Sequence, residues 1–428
     1  MSNFYVDNFS GEISLKKTRK LMSRMNDPQN RIKFIHVAGS DGKTSICNML
    51  SFIYRNNNYK VGLFTSPHIN SFDERIRINN KTLSYIELLK SKFKIYIKTR
   101  EKIKPRQKKL SISYFEMTVA MAFDLFNNNS CDIVVLEVGL GGRLDSTNII
   151  KNPLCSVITN ISLEHTKILG NNLCDIAYEK SGIIKKNGIT VCYPRQEQEV
   201  ISVVKKTCKE KNNKLVIPDL SRLKIIKSDI SGSEFIYKNK KYTIRMLGEH
   251  QIYNAITAIE VIFEVNKCEK KLFIEQDYIN LGLNKTKVEA RIEILKYSPL
   301  VILDGSHSPD EVLMLAKFLR KLNKKIIFVI GMLDDKNIDK CLENIFIELK
   351  EKAVNFFAVD VNHPRSMKAE KIKNLIENNY SKSVFIINGI FETIHECYNR
   401  AKTNDYILVV FGSFYLAKDA KNIIKDTK

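Results

Sequence analysis

Two glycines, a lysine and three hydroxyl side chains fall within seven residues of this chain, "GSDGKTS" at 39–45. That composition suits a phosphate. Glycines let the backbone curl around an anion, a lysine reaches the outer phosphates, and a following helix offers its N-terminal amides. The usual pattern is G-x-x-x-x-G-K-[ST]; here Val37 stands where the first glycine would be, so the loop is two residues short. The competing reading is an ordinary turn between a strand and a helix. Further on, "DIVVLEVGLGGRLDSTN" (132–148) runs from four apolar residues into Glu137 and a glycine-rich turn. An acid at the carboxyl end of a buried strand lies where open α/β sheets bind ligands. It suits Mg²⁺, which takes one or two carboxylates and several waters. The plainer alternative is a glutamate that caps a helix or pairs with Arg143. "CSVITNISLEHTKILG" repeats the arrangement and places His165 just past another strand end, as a candidate ligand or phosphate contact rather than a structural histidine. In "IAYEKSGIIK", Lys180 reads as a solvated charge on a helix whose opposite face carries Ile176, Ile183 and Ile184.

For the loop to hold a phosphate, a buried strand must deliver it and a helix must receive the anion. Ile32, Phe34, Ile35 and Val37 make the strand, and Ile46, Met49, Leu50 and Ile53 recur at helical spacing. "DIVVLEVG" and "CSVITNI" supply two more strands among helical segments, so residues 1–286 read as a larger α/β domain, interrupted by a β-rich patch near "SEFIYKNKKYTIRML". From about residue 298 the alternation is regular. "LVILDG", "KKIIFVIGML", "AVNFFAVDV", "SVFIING" and "YILVVFG" alternate with helices over 309–322, "NIDKCLENIFIELK", "AEKIKNLIENN" and "FETIHECYNRAK". That pattern predicts a smaller, parallel, doubly wound domain at 287–428.

A chain of 428 residues with 44% hydrophobic composition has material for two cores. The N-terminus lacks an apolar core segment and no stretch approaches 18 uninterrupted apolar residues, so the expectation is a cytoplasmic protein with no membrane partner. Nine cysteines are scattered without C-x-x-C pairs and read as small apolar filler rather than a disulfide framework. The formal charge of +22 raises a nonspecific RNA-binding protein as an alternative class. Lysines spread through nearly every helix, with no arginine-rich tail or aromatic RNA-binding signature, argue for solvated charge and no nucleic-acid partner. The densest run, "KSKFKIYIKTREKIKPRQKK" (90–109), reads as an exposed helix and loop.

Taken in order, the motifs resemble the dihydrofolate synthase/folylpolyglutamate synthase family of the Mur ligase superfamily. They are "GSDGKTS", "TSPHINSFDERIRIN" (65–79), "SYFEMTVAMAF" (113–123), "EVGLGGRLDSTN", "ITNISLEHTKILG", "IAYEKSGIIK", "GEHQIYNAITA" (248–258), "ARIE" (290–293), "DGSHSP" (304–309), "GMLDDKN" and "GSFYLA". The short loop fits that superfamily, whose phosphate loop looks like G-[TS]-[ND]-G-K-x-[ST]. The resemblance implies a P-loop-type Mur-ligase ATPase domain followed by a Rossmann-like domain, and a monomer. It implies ATP and Mg²⁺, with L-glutamate and dihydropteroate or a folate as the other substrates.

The resemblance also implies roles. Lys43 would act on the transferring phosphoryl group, and Gly42, Thr44 and Ser45 would cradle the phosphates with it. Asn254, Arg291 and Asp304 match ATP contacts, and Ser66, Glu137 and His165 match the Mg²⁺ ligands. Lys180 matches a lysine that is carbamylated in the family, its carbamate a carboxylate-like oxygen ligand. Ser113, Tyr114, Phe115, Glu116 and Asp145 match the pterin-side pocket, and His307 would orient the incoming amine or a phosphate or serve the fold. Four positions depart from the family pattern: Thr44 and Ala290 where glycine is usual, Glu164 for Asp, and Ser308 for Asn. Thr44 makes the loop look more like the peptidoglycan ligases, which add an amino acid to a nucleotide-linked peptide. Against that alternative, the loop begins at residue 39, without room for their N-terminal nucleotide-sugar domain, and "SYFE" with "TSPH" is folate-type.

Overall fold

The computed structural model of the chain describes residues 12–100 and 110–426. They form two compact units, one of the described residues up to 223 with 237–242 and 253–286, the other of 224–236, 243–252 and the described residues from 287 on.

In the first unit the strands are Phe34–Ala38 (β1), Val61–Phe64 (β2), Ile76–Ile78 (β3), Lys81–Thr82 (β4), Ile133–Glu137 (β5), Cys155–Ile158 (β6), Ile189–Cys192 (β7) and Lys214–Val216 (β8). They make one sheet in the order β4-β3-β2-β5-β1-β6-β7-β8. β1 lies at its centre, parallel to β5 and β6, and every residue of these three strands is buried. Continuous apolar runs of this kind belong to a parallel sheet covered on both faces. One cover contains Leu21, Met22, Phe34, Phe123, Phe126 and Leu136; the other contains Ile158, Ile176, Ala177, Ile183, Val200 and Val204. β3 and β4 are antiparallel at one edge, joined by Asn79 and Asn80 at φ of 51° and 60°. That is the conformation a two-residue hairpin turn needs, and asparagine tolerates it.

The β-rich patch forms a separate three-stranded sheet of Leu223–Asp229 (β9), Gly232–Tyr237 (β10) and Lys240–Ile244 (β11). The basic run from 90 belongs to a helix, Tyr85–Arg100, that is not simply exposed. Leu88, Ser91, Ile95 and Thr99 line a buried face, while Tyr85, Leu89, Phe93 and Ile97 point outward. Part of the run, 101–109, lies outside the described residues.

The second unit holds Glu293–Tyr297 (β12), Leu300–Leu303 (β13), Ile326–Ile330 (β14), Ala353–Ala358 (β15), Val384–Phe385 (β16) and Ile407–Phe411 (β17), in the order β12-β13-β17-β14-β15-β16. β13 to β17 are parallel, as the alternation predicts. β12 is the departure: it runs antiparallel to β13 because only Ser298 and Pro299 separate them, far too few residues for a crossover. The core packs Ile302, Leu315, Leu319, Phe328, Ile345, Phe356, Val409 and Phe411. Six of the nine cysteines are buried and all nine are free; Cys268 is exposed, so the filler reading does not extend to it.

Candidate active site

The segment 39–42 leaves β1 at the carboxyl end of the sheet and runs into the helix Lys43–Asn56. Two glycines are required there. A Cβ on Gly39, at φ 156°, would lie 1.8 Å from Thr159 Oγ1, and one on Gly42, at φ 83°, would lie 2.7 Å from Asn254 Oδ1. Asn254 thus flanks the loop. The loop is strapped to the segment after β6: Ser40 N donates to Asn160 O at 2.7 Å, Thr159 Oγ1 to Asp41 O at 2.7 Å, and Ser162 Oγ to Asp41 Oδ2 at 3.0 Å. Gly42 caps the helix without a side-chain hydrogen bond, which keeps the first amides for an anion. Lys43 folds back, its Nζ donating to the carbonyls of Gly39 and Ser40 at 2.7 Å each.

Glu137 ends β5 beside the loop and is fully buried. Its Oε1 accepts from Thr44 Oγ1 at 2.9 Å and its Oε2 from Ser66 N at 3.2 Å. Arg143, the partner of the plainer alternative, makes two hydrogen bonds to Glu179 Oε1 at 3.1 and 2.8 Å. A buried carboxylate joined to a hydroxyl at a helix N-terminus is a hard oxygen set that fits Mg²⁺, an ion that keeps most of its waters. Among the described residues no group of three His, Cys, Asp or Glu side chains forms a metal cluster, so any such ion draws on few protein ligands. His165 precedes the short helix Thr166–Leu169 in a left-handed conformation, its imidazole 4.0 Å from Glu164.

Lys180 corrects the expectation of a solvated charge. It is 2% exposed. Ile176 and Lys180 are four apart on the helix Leu173–Ser181 and so share its buried face, whereas Ile183 and Ile184 lie beyond the helix end. Its Nζ donates to Glu164 Oε1 at 2.7 Å and to Gly39 O at 2.8 Å, the same carbonyl that Lys43 uses. Burial pushes the Lys180 amine below its ordinary value, with the Glu164 carboxylate opposing and the Lys43 ammonium assisting. Burial alone would raise Glu164; the charges of Lys180, Lys43 and His165, with the hydrogen bond from Lys180, together outweigh it and hold the carboxyl well below the usual range.

The "SYFE" residues open the helix Tyr114–Asn128 as a capping box. Glu116 N donates to Ser113 Oγ at 3.1 Å and Ser113 N to Glu116 Oε2 at 2.6 Å. The spacing S-x-x-E is itself the signal for this box, a local role beside the pterin-side one that the resemblance implies. Phe115 lies under Gly139, where a Cβ would meet its ring at 2.4 Å, and Tyr114 packs edge-on to Phe72 at 5.8 Å. Asp145 shapes the neighbouring turn, accepting from Gly139 N, Leu140 N, Thr147 N and Thr147 Oγ1.

In the second unit Asp304 follows β13, buried, its Oδ2 accepting from Ile292 N at 2.6 Å and its Oδ1 from Ser306 N at 2.7 Å. Burial pushes it up, with the Arg291 charge opposing. Ala290 and Ile292 are left-handed, at φ 50° and 48°. Arg291 NH1 donates to Glu311 Oε1 at 2.6 Å. Lys421 pairs with both neighbouring acids, Glu289 at 3.1 Å and Glu293 at 2.7 Å. His307 Nδ1 lies 2.9 Å from Gly305 O, which makes it the protonated nitrogen. Glu311, to which the sequence reading gave no role, touches both Arg291 and His307.

Residues 37–262 match the family described as Mur ligase middle domain, and residues 290–414 that described as Mur ligase, glutamate ligase domain. The chain is 30% identical to the dihydrofolate synthase/folylpolyglutamate synthase of Bacillus subtilis over 97% of its own length and 96% of that protein's. It is 29% identical to the dihydrofolate synthetase of Saccharomyces cerevisiae, covering 96% and 98% of the two chains. It superposes on the structure of Mycobacterium tuberculosis folylpolyglutamate synthase complexed with ADP and AMPPCP with a TM-score of 0.87, at 26% identity, covering 97% of this chain and 96% of that one.

Proposed function

The chain belongs to the Mur ligase family, and on that premise we propose that it is an ATP-dependent ligase joining L-glutamate to dihydropteroate, to a folate, or to both. The observation that carries this reading is the loop 39–45 at an uncapped helix N-terminus, with Lys43 over its carbonyls and the buried Glu137 held by Thr44 at 2.9 Å. The folate enzymes to which the chain is similar along nearly its whole length support the choice of substrate over a nucleotide-linked peptide.

In this reading residues 1–286 bind ATP and residues 287–428 serve the glutamate ligase step. The acceptor's carboxylate attacks the γ-phosphorus of ATP, the bond to the β-phosphate oxygen breaks, and ADP leaves. The amine of glutamate then attacks the acyl phosphate, forming the amide and releasing phosphate and a proton. The protein's task is positioning and charge. The helix amides and Lys43, released from the loop carbonyls, neutralise the transferring group. Gly42, Thr44, Ser45 and Asn254 border the phosphates, and Arg291 and Asp304 are further nucleotide contacts. Mg²⁺ would be held by Glu137 with Ser66 and His165, Thr44 adding a hydroxyl, and supplies charge neutralisation on the phosphate oxygens. Lys180, buried against Glu164, is the candidate for carbamylation, and burial lowers its basicity in the direction that reaction needs. Ser113 to Glu116 and Asp145 shape the pterin side through the Phe115 and Gly139 contact. The remaining parts of the reading are a cytoplasmic monomer without membrane or nucleic-acid partners; no helix among the described residues is long and apolar enough to cross a membrane.

The test is ATP-dependent incorporation of labelled glutamate with dihydropteroate and with tetrahydrofolate as separate acceptors. Product with dihydropteroate is expected. Product with tetrahydrofolate alone narrows the activity to chain extension, and none with either overturns the reading.

A further inference from the structure

Glu311 is the third residue of the helix Pro309–Arg320, three after the N-cap Ser308. A glutamate in that place ordinarily folds back onto the N-cap amide to close a capping box. Half of the box is present: Glu311 N donates to Ser308 Oγ at 3.3 Å. The carboxylate goes elsewhere. Oε2 accepts from the amide of His307, one residue upstream, at 3.1 Å and lies 3.5 Å from His307 Nδ1. Oε1 takes Arg291 NH1 at 2.6 Å. The side chain is 12% exposed. Arg291 is also fixed from a second direction, its guanidinium carbon 5.2 Å from the centre of the Phe414 ring, against which the His307 imidazole packs at 5.6 Å. A flexible cation is thus set between a mostly buried anion and an aromatic face, and the same anion anchors the histidine.

We propose that Glu311 is a positioning residue that holds Arg291 and His307 as one preorganised group for the nucleotide, acting through Arg291. The proposal rests on the reading of Arg291 as an ATP contact. An arginine already fixed loses less freedom when it meets a phosphate, so its partner raises affinity without touching the ligand. A merely structural Glu311 would matter for folding and leave nucleotide binding alone.

The experiment is ATP binding to the full chain, by equilibrium titration, for Arg291→Ala, Glu311→Ala, Glu311→Gln and the double variant Arg291→Ala/Glu311→Ala. Melting curves establish that each is folded, and Glu311→Gln, which keeps the shape and one acceptor, stands in if Glu311→Ala is not. The expected result is a Kd for ATP raised roughly tenfold by Glu311→Ala and at least as much by Arg291→Ala, with the double variant no weaker than Arg291→Ala alone. Steady-state rates should show the KM for ATP rising while the KM for glutamate stays fixed. Arg291→Ala weakening binding while Glu311→Ala and Glu311→Gln leave it unchanged would overturn the proposal alone. Independent, additive losses would do the same. An unchanged Kd in Arg291→Ala removes the premise about Arg291 and the proposal with it.

Discussion

Lys43 spends its charge on two loop carbonyls at 2.7 Å, bonds a phosphate would replace, so its removal should be felt in turnover more than in folding. Lys43→Ala is expected to lower kcat roughly a hundredfold with an unchanged melting temperature; near-normal turnover in a folded variant removes the phosphate-loop reading. Glu137→Gln keeps the shape of the pair with Thr44 and deletes its charge, so the Mg²⁺ concentration for half-maximal rate should rise at least tenfold; a superimposable Mg²⁺ titration returns Glu137 to a structural role. His250 gives a pH signature. Burial, with the Arg291 charge, pushes its imidazole down to about 4, against an unfolded value of about 6.5. Between those values the unfolded chain holds the extra proton, so stability falls as pH drops from about 6.5 to about 4 and this contribution changes no further below. His250→Gln should flatten that limb of a stability-against-pH curve measured by urea unfolding.

The loop that follows β1 is a steric fit, and a single methyl tests it. Gly39→Ala places a carbon 1.8 Å from Thr159 Oγ1, so at least about 2 kcal/mol of destabilisation is expected, with loss of ATP binding. The segment before β12 offers the reverse experiment. Ala290 sits at φ 50°, where glycine is usual in the family pattern, and Ala290→Gly should raise stability by roughly 0.5–1 kcal/mol in chemical denaturation. These elements also mark what was legible beforehand. The strands delivering the loop, Glu137 and Asp304 were readable because buried parallel strands write unbroken apolar runs ending at the ligand edge. β12 was not, since Lys296 and Tyr297 in a half-exposed edge strand blur that run, and neither were the short strands β3 and β4. "SVFIING" suggested a full strand, but only Val384 and Phe385 pair, at the sheet's edge. Lys180 and Glu311 were out of reach for another reason. Their charged partners Glu164 and Arg291 lie 16 and 20 residues away in sequence, and a charge alone does not say whether it is solvated or paired.

Each unit carries its own core, and the chain as a whole carries a formal charge of +22. Such a field draws polyanionic nucleotides, and added salt screens it, so the KM for ATP should rise several-fold between about 50 and 500 mM NaCl while kcat holds; a flat KM would show that only short-range contacts bind the nucleotide. The strand order has a consequence of another kind, for biosynthesis. β1 is complete at Ala38, but the strands on either side of it begin at Ile133 and Cys155. At roughly 5–20 residues per second, the ribosome takes several to some twenty seconds to supply those neighbours, and until then an apolar strand has no place to dock. Nascent chains arrested before Ile133 should therefore be protease-sensitive and held by chaperones, while chains arrested well past Cys192 should yield a protected fragment. The centre of this sheet is the first of the described strands to be made, and it waits for both of its neighbours.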